Sequence, residues 1–166
     1  MAFQAKKDSF TLGVAAKTVV DAATAAATAD ADGTVAMYTD FAAAVVAEGK
    51  IVAALNDAIQ PKISMDAAGE ITAKTFKDTK RALKGDYGMA GKVDNNDDGV
   101  MKEWFEQSAA FSAHVVGMTA DEVAAMATQE AKGHKISTDA DLLAAGCSMQ
   151  ITGIKAVVSQ AAKNAR

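Results

Sequence analysis

The run best suited to holding a ligand is Asp139 to Ala161. Within it, the small residues Ala144-Ala145-Gly146-Cys147-Ser148 meet the start of an apolar-striped helix. Backbone N–H groups and the positive end of a helix point out of such a turn, so an anion such as a phosphate fits there. Ser148 adds a hydroxyl. The same residues also read as a plain helix cap beside a buried cysteine.

Asp94-Asn95-Asn96-Asp97-Asp98-Gly99 places oxygen side chains at positions 1, 3 and 5 and glycine at 6, as an EF-hand loop begins. Position 12, which needs a bidentate Glu, is Phe105, and Glu103 and Glu106 miss it, so a solvated turn is the stronger reading. Gly85 to Lys92 (GDYGMAGK) looks like a phosphate loop, but the spacing to Gly91-Lys92 is off by one and Val93 replaces the Ser/Thr that would hold magnesium. Within it, Tyr87 and Met89 read as cavity wall or as ordinary packing. Trp104 reads as a core anchor before a stacking platform. His114 falls on the less apolar face of its helix with Glu103, Gln107 and Ala110. His134 falls in a Lys-Gly-His-Lys loop. Neither shows a metal-ligand spacing, and no G-x-S-x-G elbow occurs.

Composition narrows the classes. Half of the 166 residues are apolar, which supports a packed core and excludes wholesale disorder. Aromatic residues make up 5% while alanine fills 39 positions, so the core must rely on close backbone approach. A net charge of −4 and a pI near 5.1 argue against a nucleic-acid binder. One cysteine, Cys147, excludes an internal disulfide and a multi-cysteine zinc site. The longest uncharged stretch, Gln107 to Ala120, has 14 residues, short of a membrane span. The basic start of the chain has no apolar region behind it, so no signal peptide is expected.

The elements that must position these residues fall into two halves. Phe10–Val20, Thr34–Ala47 and Lys50–Asp57 read as strands, separated by turn signals at Asp32-Gly33, Glu48-Gly49 and Ala68-Gly69. Val46–Ile51 and Met65–Ile71 read as two hairpins of similar design. Asp21–Asp30 fits strand or loop. From about Phe76 the chain reads helical. Val100–Val116 carries the stripe Met101, Trp104, Phe105, Ser108, Phe111 and Val115, and Gly117 ends it. Thr119 and Glu122 form a capping box before Val123–Ala127. Ser137-Thr138-Asp139 caps a short helix through Ala144, and Met149–Asn164 forms a last helix. Gly85–Gly99 joins the halves. The expected fold is a single α+β domain over residues 1–166, with an antiparallel β-meander packed by C-terminal helices.

Residues 30–165 resemble FMN-binding (flavinylated) domains. Ala145-Gly146-Cys147-Ser148 falls on that family's S-G-A-T, and Ala156-Val157 and Ala161 on the helix that follows. Asp32-Gly33-Thr34 through Val52 looks like its opening hairpin. The chain is more similar still to a branch of bacterial, often exported, relatives. That likeness is carried by Asp86-Tyr-Gly-Met89, Lys102-Glu-Trp-Phe-Glu106, Val116–Val123 and Ala145-Gly-Cys147. Leu142 stands where the family has its acidic residue, Ala145 replaces the leading Ser, and Ser148 replaces the Thr esterified to FMN. The resemblance implies a small-ligand module holding FMN, non-catalytic by itself or passing electrons. Gly146, Cys147, Ser148 and Thr152 would hold the phosphate end, and Tyr87, Met89 and Trp104 would wall the ring.

A second reading from a different class is a structural or self-assembling protein that keeps the fold without a cofactor. The Ala- and Thr-rich strands suit it. The segment Phe3–Val14 would pair with a sheet edge of another copy. No constellation supports a hydrolase, kinase or metalloenzyme.

Overall fold

The computed structural model describes residues 10–21, 23–75, 77–92 and 94–166. The chain is α+β, with an antiparallel sheet in the first half and helices in the second. β1 (Thr11–Val20), β2 (Gly33–Ala47) and β3 (Lys50–Ile59) run up and down. β4 (Lys62–Met65) then returns to the first residues of β2, and β5 (Ile71–Thr75) pairs β4. β2 is the hub of this sheet because it is 15 residues long. One edge takes β1, and the other takes β3 along Thr39–Ala47 and β4 along Gly33–Ala36. Glu48-Gly49 makes the β2–β3 turn with both residues at positive φ. Asp21–Asp30 is mostly loop, with one bridge from Ala25 to Thr34. Phe3–Ser9 lies outside the described residues. Thr11–Val14, the rest of the segment expected to reach another copy, pairs on one side with Ala43–Val46 of its own chain, and β1 is an edge strand of the sheet.

Small residues decide how the helical half docks. α5 (Thr152–Lys163) lies across the inner face of β1 and β2, where Gly13, Ala42 and Ala44 are buried against Ile154, Val158 and Ala161. α2 (Trp104–His114) packs on β3, and α3 (Ala120–Ala125) on α5. Close backbone approach thus replaces bulky anchors, as the composition requires. The free edge of β3 is tied at Ile51, whose N–H donates to the Met118 carbonyl and whose carbonyl accepts from Gly117.

Two sequence expectations change in the helical half. Met126 to Ser137 is not helical: β6 (Thr128–Ala131) and β7 (His134–Ser137) form a hairpin turned by Lys132-Gly133, both at positive φ. His134 therefore opens a strand, still exposed to solvent. The helix expected from Val100 starts at Trp104, because Glu103 and Glu106 form a capping box there. The capping box at Thr119 and Glu122 and the Asp139 cap of α4 (Ala140–Ala144) stand where the sequence places them, and the last helix runs Thr152–Lys163 within the expected Met149–Asn164.

The side of β2 that carries Val35, Met37, Phe41, Ala43 and Val45 turns away from all the helices. The core side carries Ala36, Asp40, Ala42 and Ala44. A bulge between Val45 and Val46 splits β3 as well: Ile51 is buried while Ala53 and Leu55 face out.

Candidate functional site

The residues singled out by sequence separate into two places. Tyr87 and Trp104 meet around Lys80, the first residue of the short α1 (Lys80–Leu83). The Lys80 ammonium lies 4.4 Å from the ring centre of Tyr38, 4.6 Å from Tyr87 and 5.5 Å from Trp104. It donates to the Tyr38 hydroxyl at 3.0 Å. Lys80 and Trp104 are both buried. Asp40, on the core side of β2, is buried beside Gly153 in the first turn of α5.

Burial dominates the electrostatics here. It raises the Asp40 carboxyl to about 6, against the pull of Lys80. It lowers Lys80 to about 8, against the pull of Asp40. Burial also pushes the Tyr38 and Tyr87 hydroxyls up. An amine and a carboxyl tuned toward neutrality are the kind of pair that moves protons in enzymes. Here three rings and the sheet cover them. Neither the trough on the outer sheet face nor the hollow between Thr28–Asp32 and Asp66–Ala68 is lined by Lys80 or Asp40. The cluster braces α1 and α2 against the sheet. The brace continues through Arg81, whose Nε donates to the Asn56 carbonyl at 2.6 Å. It then passes through Asn56 to Ser108 and Ser112 of α2.

The second place is the turn before α5. Gly146 takes a positive φ of 83°, and the Lys102 side chain lies against it, its ammonium donating to the Ala145 carbonyl at 2.8 Å. Cys147 is fully buried, and burial pushes its thiol up to about 12. Ser148 is 1% exposed, and its hydroxyl has no hydrogen-bond partner. Thr152 is exposed on the first turn of α5. Met89 reaches this region through Gln107. The Gln107 amide donates to the Met89 sulfur at 3.8 Å and to the Lys102 carbonyl at 2.9 Å, and its oxygen accepts from the Met149 N–H at 2.8 Å. Buried Trp104, Cys147 and Met149 share one core, with half-buried Tyr87 and Met89 packed against it. Ring-wall and phosphate-turn candidates are therefore neighbours, but they pack on each other.

The Asp94–Gly99 loop docks beside this turn, with Asn95 Nδ2 donating to the Ser148 carbonyl at 2.8 Å. Asp94 accepts from the Gly99 N–H, while its other oxygen and the Asn96 oxygen are shielded without partners. The Lys132 ammonium bonds Asp97 and the Asp94 carbonyl. Phe105, at the twelfth position, is built into α2. Val93 lies outside the described residues. His114 stands 3.6 Å from an Asp139 oxygen. Among the described residues, no group of three or more His, Cys, Asp or Glu is arranged to hold a metal, and no helix is long and apolar enough to cross a membrane.

Sequence reasoning missed three residues that organise these places: Lys80, Asp40 and Gln107. Lys80 is hidden in the lysine-rich run Lys74–Lys84. Asp40 did carry a signal, since a charge interrupts the Ala36–Ala44 core positions of β2. Gln107 sits on the helix face read as less apolar, yet it is fully buried.

The outer face of the sheet is the largest feature that these interactions leave unused. Leu12, Val14 and Val20 of β1, Val35 and Met37 of β2 and Leu55 of β3 are exposed by 39–71%. Val14 pairs with Ala43, which pairs with Leu55, so these side chains stand in one row. Phe41 and the small Ala16 and Ala43 join Val14 and Leu55 in lining an open trough of about 510 Å³. Beside this row the ionisable residue is Asp57, and on β5 of the same sheet the exposed Lys74 pairs Ile63, which pairs Val35. Asp57 is buried, accepting hydrogen bonds from the Ala58 and Arg81 N–H groups. No protein-family model, curated protein or solved structure matches this chain.

Proposed function

We propose that this chain is a non-catalytic docking module whose working surface is the bare outer face of its sheet. One observation carries this reading: a contiguous apolar row across β1, β2 and β3 with no exposed charge in it, on strands whose other side is covered by α5 and α2. Soluble chains rarely leave such a patch open unless something binds it. The chemistry-bearing cluster around Lys80 supports the same reading from the other side, because it is closed to substrates and braces the fold. The test is an apolar dye, anilinonaphthalene sulfonate, added to protein at about 1 µM, where weak association is negligible. Its emission should rise with native protein and fall back with Val14→Lys or Leu55→Lys. No rise with native protein contradicts the reading.

A second reading keeps the small-ligand class, with FMN as the ligand that the resemblance implies. The buried, unpartnered Ser148 hydroxyl in the turn before α5 favours it. The docking reading expects protein from the native host to be colourless at its plain mass. Flavin absorption bands with an added FMN mass, lost in Ser148→Ala, would decide for the second reading.

A further inference from the structure

Resting on the docking reading, we infer that the partner on the outer face is a second copy of this chain, packed sheet against sheet. Three features select it. The face carries a hole and the knobs to fill it: the Ala16–Ala43 floor is flanked by Val14, Leu55 and Phe41. A surface that carries both can seat its own copy, as a two-fold interface requires. The second feature is charge. With Asp57 tied inward, the row on β1 to β3 offers nothing that would select an acidic, basic or phosphate-bearing partner, while an uncharged row meets its own copy without burying an unpaired charge. Area is the third. Three strands of about ten residues, at roughly 3.3 Å rise and about 4.8 Å spacing, give a plane of roughly 450–500 Å² per copy. Two copies then bury about 1,000 Å², at the low end for specific interfaces, so the dimer is a weak one.

Sedimentation velocity on the full chain, from about 1 µM to about 1 mM, tests this. The wild type should move toward a species of twice the 17.0 kDa mass as concentration rises. Val14→Lys and Leu55→Lys should weaken association by tenfold or more. A Val14→Thr, Leu55→Thr double variant, which keeps strand-favouring residues, should do the same while circular dichroism stays unchanged. Ile71→Lys, on β5 away from the row, should leave association intact. A wild type that stays monomeric at every concentration overturns the inference. If that monomer still takes up the dye, the face serves a different partner; if it does not, the docking reading fails too. Association that survives all face variants, or that Ile71→Lys abolishes, also overturns it.

Discussion

Gly13 and Ala161 set the distance between the sheet and its covering helix: a β-carbon on Gly13 would stand 2.0 Å from the Ala161 carbonyl oxygen and 2.6 Å from the Ala165 nitrogen. Both obstacles are backbone, so neither can swing aside. Alanine suits a strand better than glycine, yet Gly13→Ala should destabilise the fold by about 2–3 kcal/mol because α5 must lift off β1. Urea unfolding measures this. An unchanged midpoint would mean that the helix is not seated this closely.

Much of this fold is readable in the residues. The strands, the Glu48-Gly49 turn, the Thr119–Glu122 capping box and the last helix all carry local signals that the tertiary structure respects. The β6–β7 hairpin was hidden because Met126–Ser137 is short and polar, with only Lys132-Gly133 to mark the turn. The face assignment was harder. Val35, Met37, Phe41 and Val45 are the larger apolar set on β2, and burying the larger set is the ordinary solution. Here the alanines are buried instead, because α5 comes so close that only small side chains fit beneath it. Alternation shows that a strand has two faces; the facing helix decides which is core.

The buried Asp40–Lys80 pair should shape the pH dependence of stability. Folding raises Asp40 from 3.8 to about 6, so between those values the folded state holds more protons and stability falls as pH rises. Folding lowers Lys80 from 10.5 to about 8, so between those values the unfolded chain holds more protons and stability rises with pH. The contribution of the pair is lowest between about pH 6 and 8, with each limb worth up to about 3 kcal/mol. Denaturant titrations at stepped pH should lose the acid limb in Asp40→Asn and the alkaline limb in Lys80→Met. A wild type with no slope in either window contradicts the burial of these charges.

Gln107 holds the turn before α5 by filling three bonding positions at once. Gln107→Leu keeps the volume but leaves the Met149 N–H and the Lys102 carbonyl without partners. The expected loss is about 2–3 kcal/mol. Amide hydrogen exchange should quicken at Met149 well before the sheet amides. Equal exchange in both proteins would show that Gln107 does not hold the turn.

Cys147 should be inert in the native protein. It is fully buried, and its thiol is held up near 12, so little thiolate forms and no reagent reaches it. A chromogenic disulfide reagent should label none of it under native conditions and all of it in urea. Rapid native labelling would mean that the turn opens readily.

The most direct test of the central claim is an isotope-filtered nuclear Overhauser experiment on a mixture of methyl-labelled and unlabelled chains, at a concentration near 1 mM. If the outer face is the interface between copies, the methyl groups of Val14 and Leu55 will show cross-chain contacts, while those of Ile154 and Val158 beneath α5 will not. A self-associated sample with no cross-chain signal from Val14 or Leu55 contradicts the account.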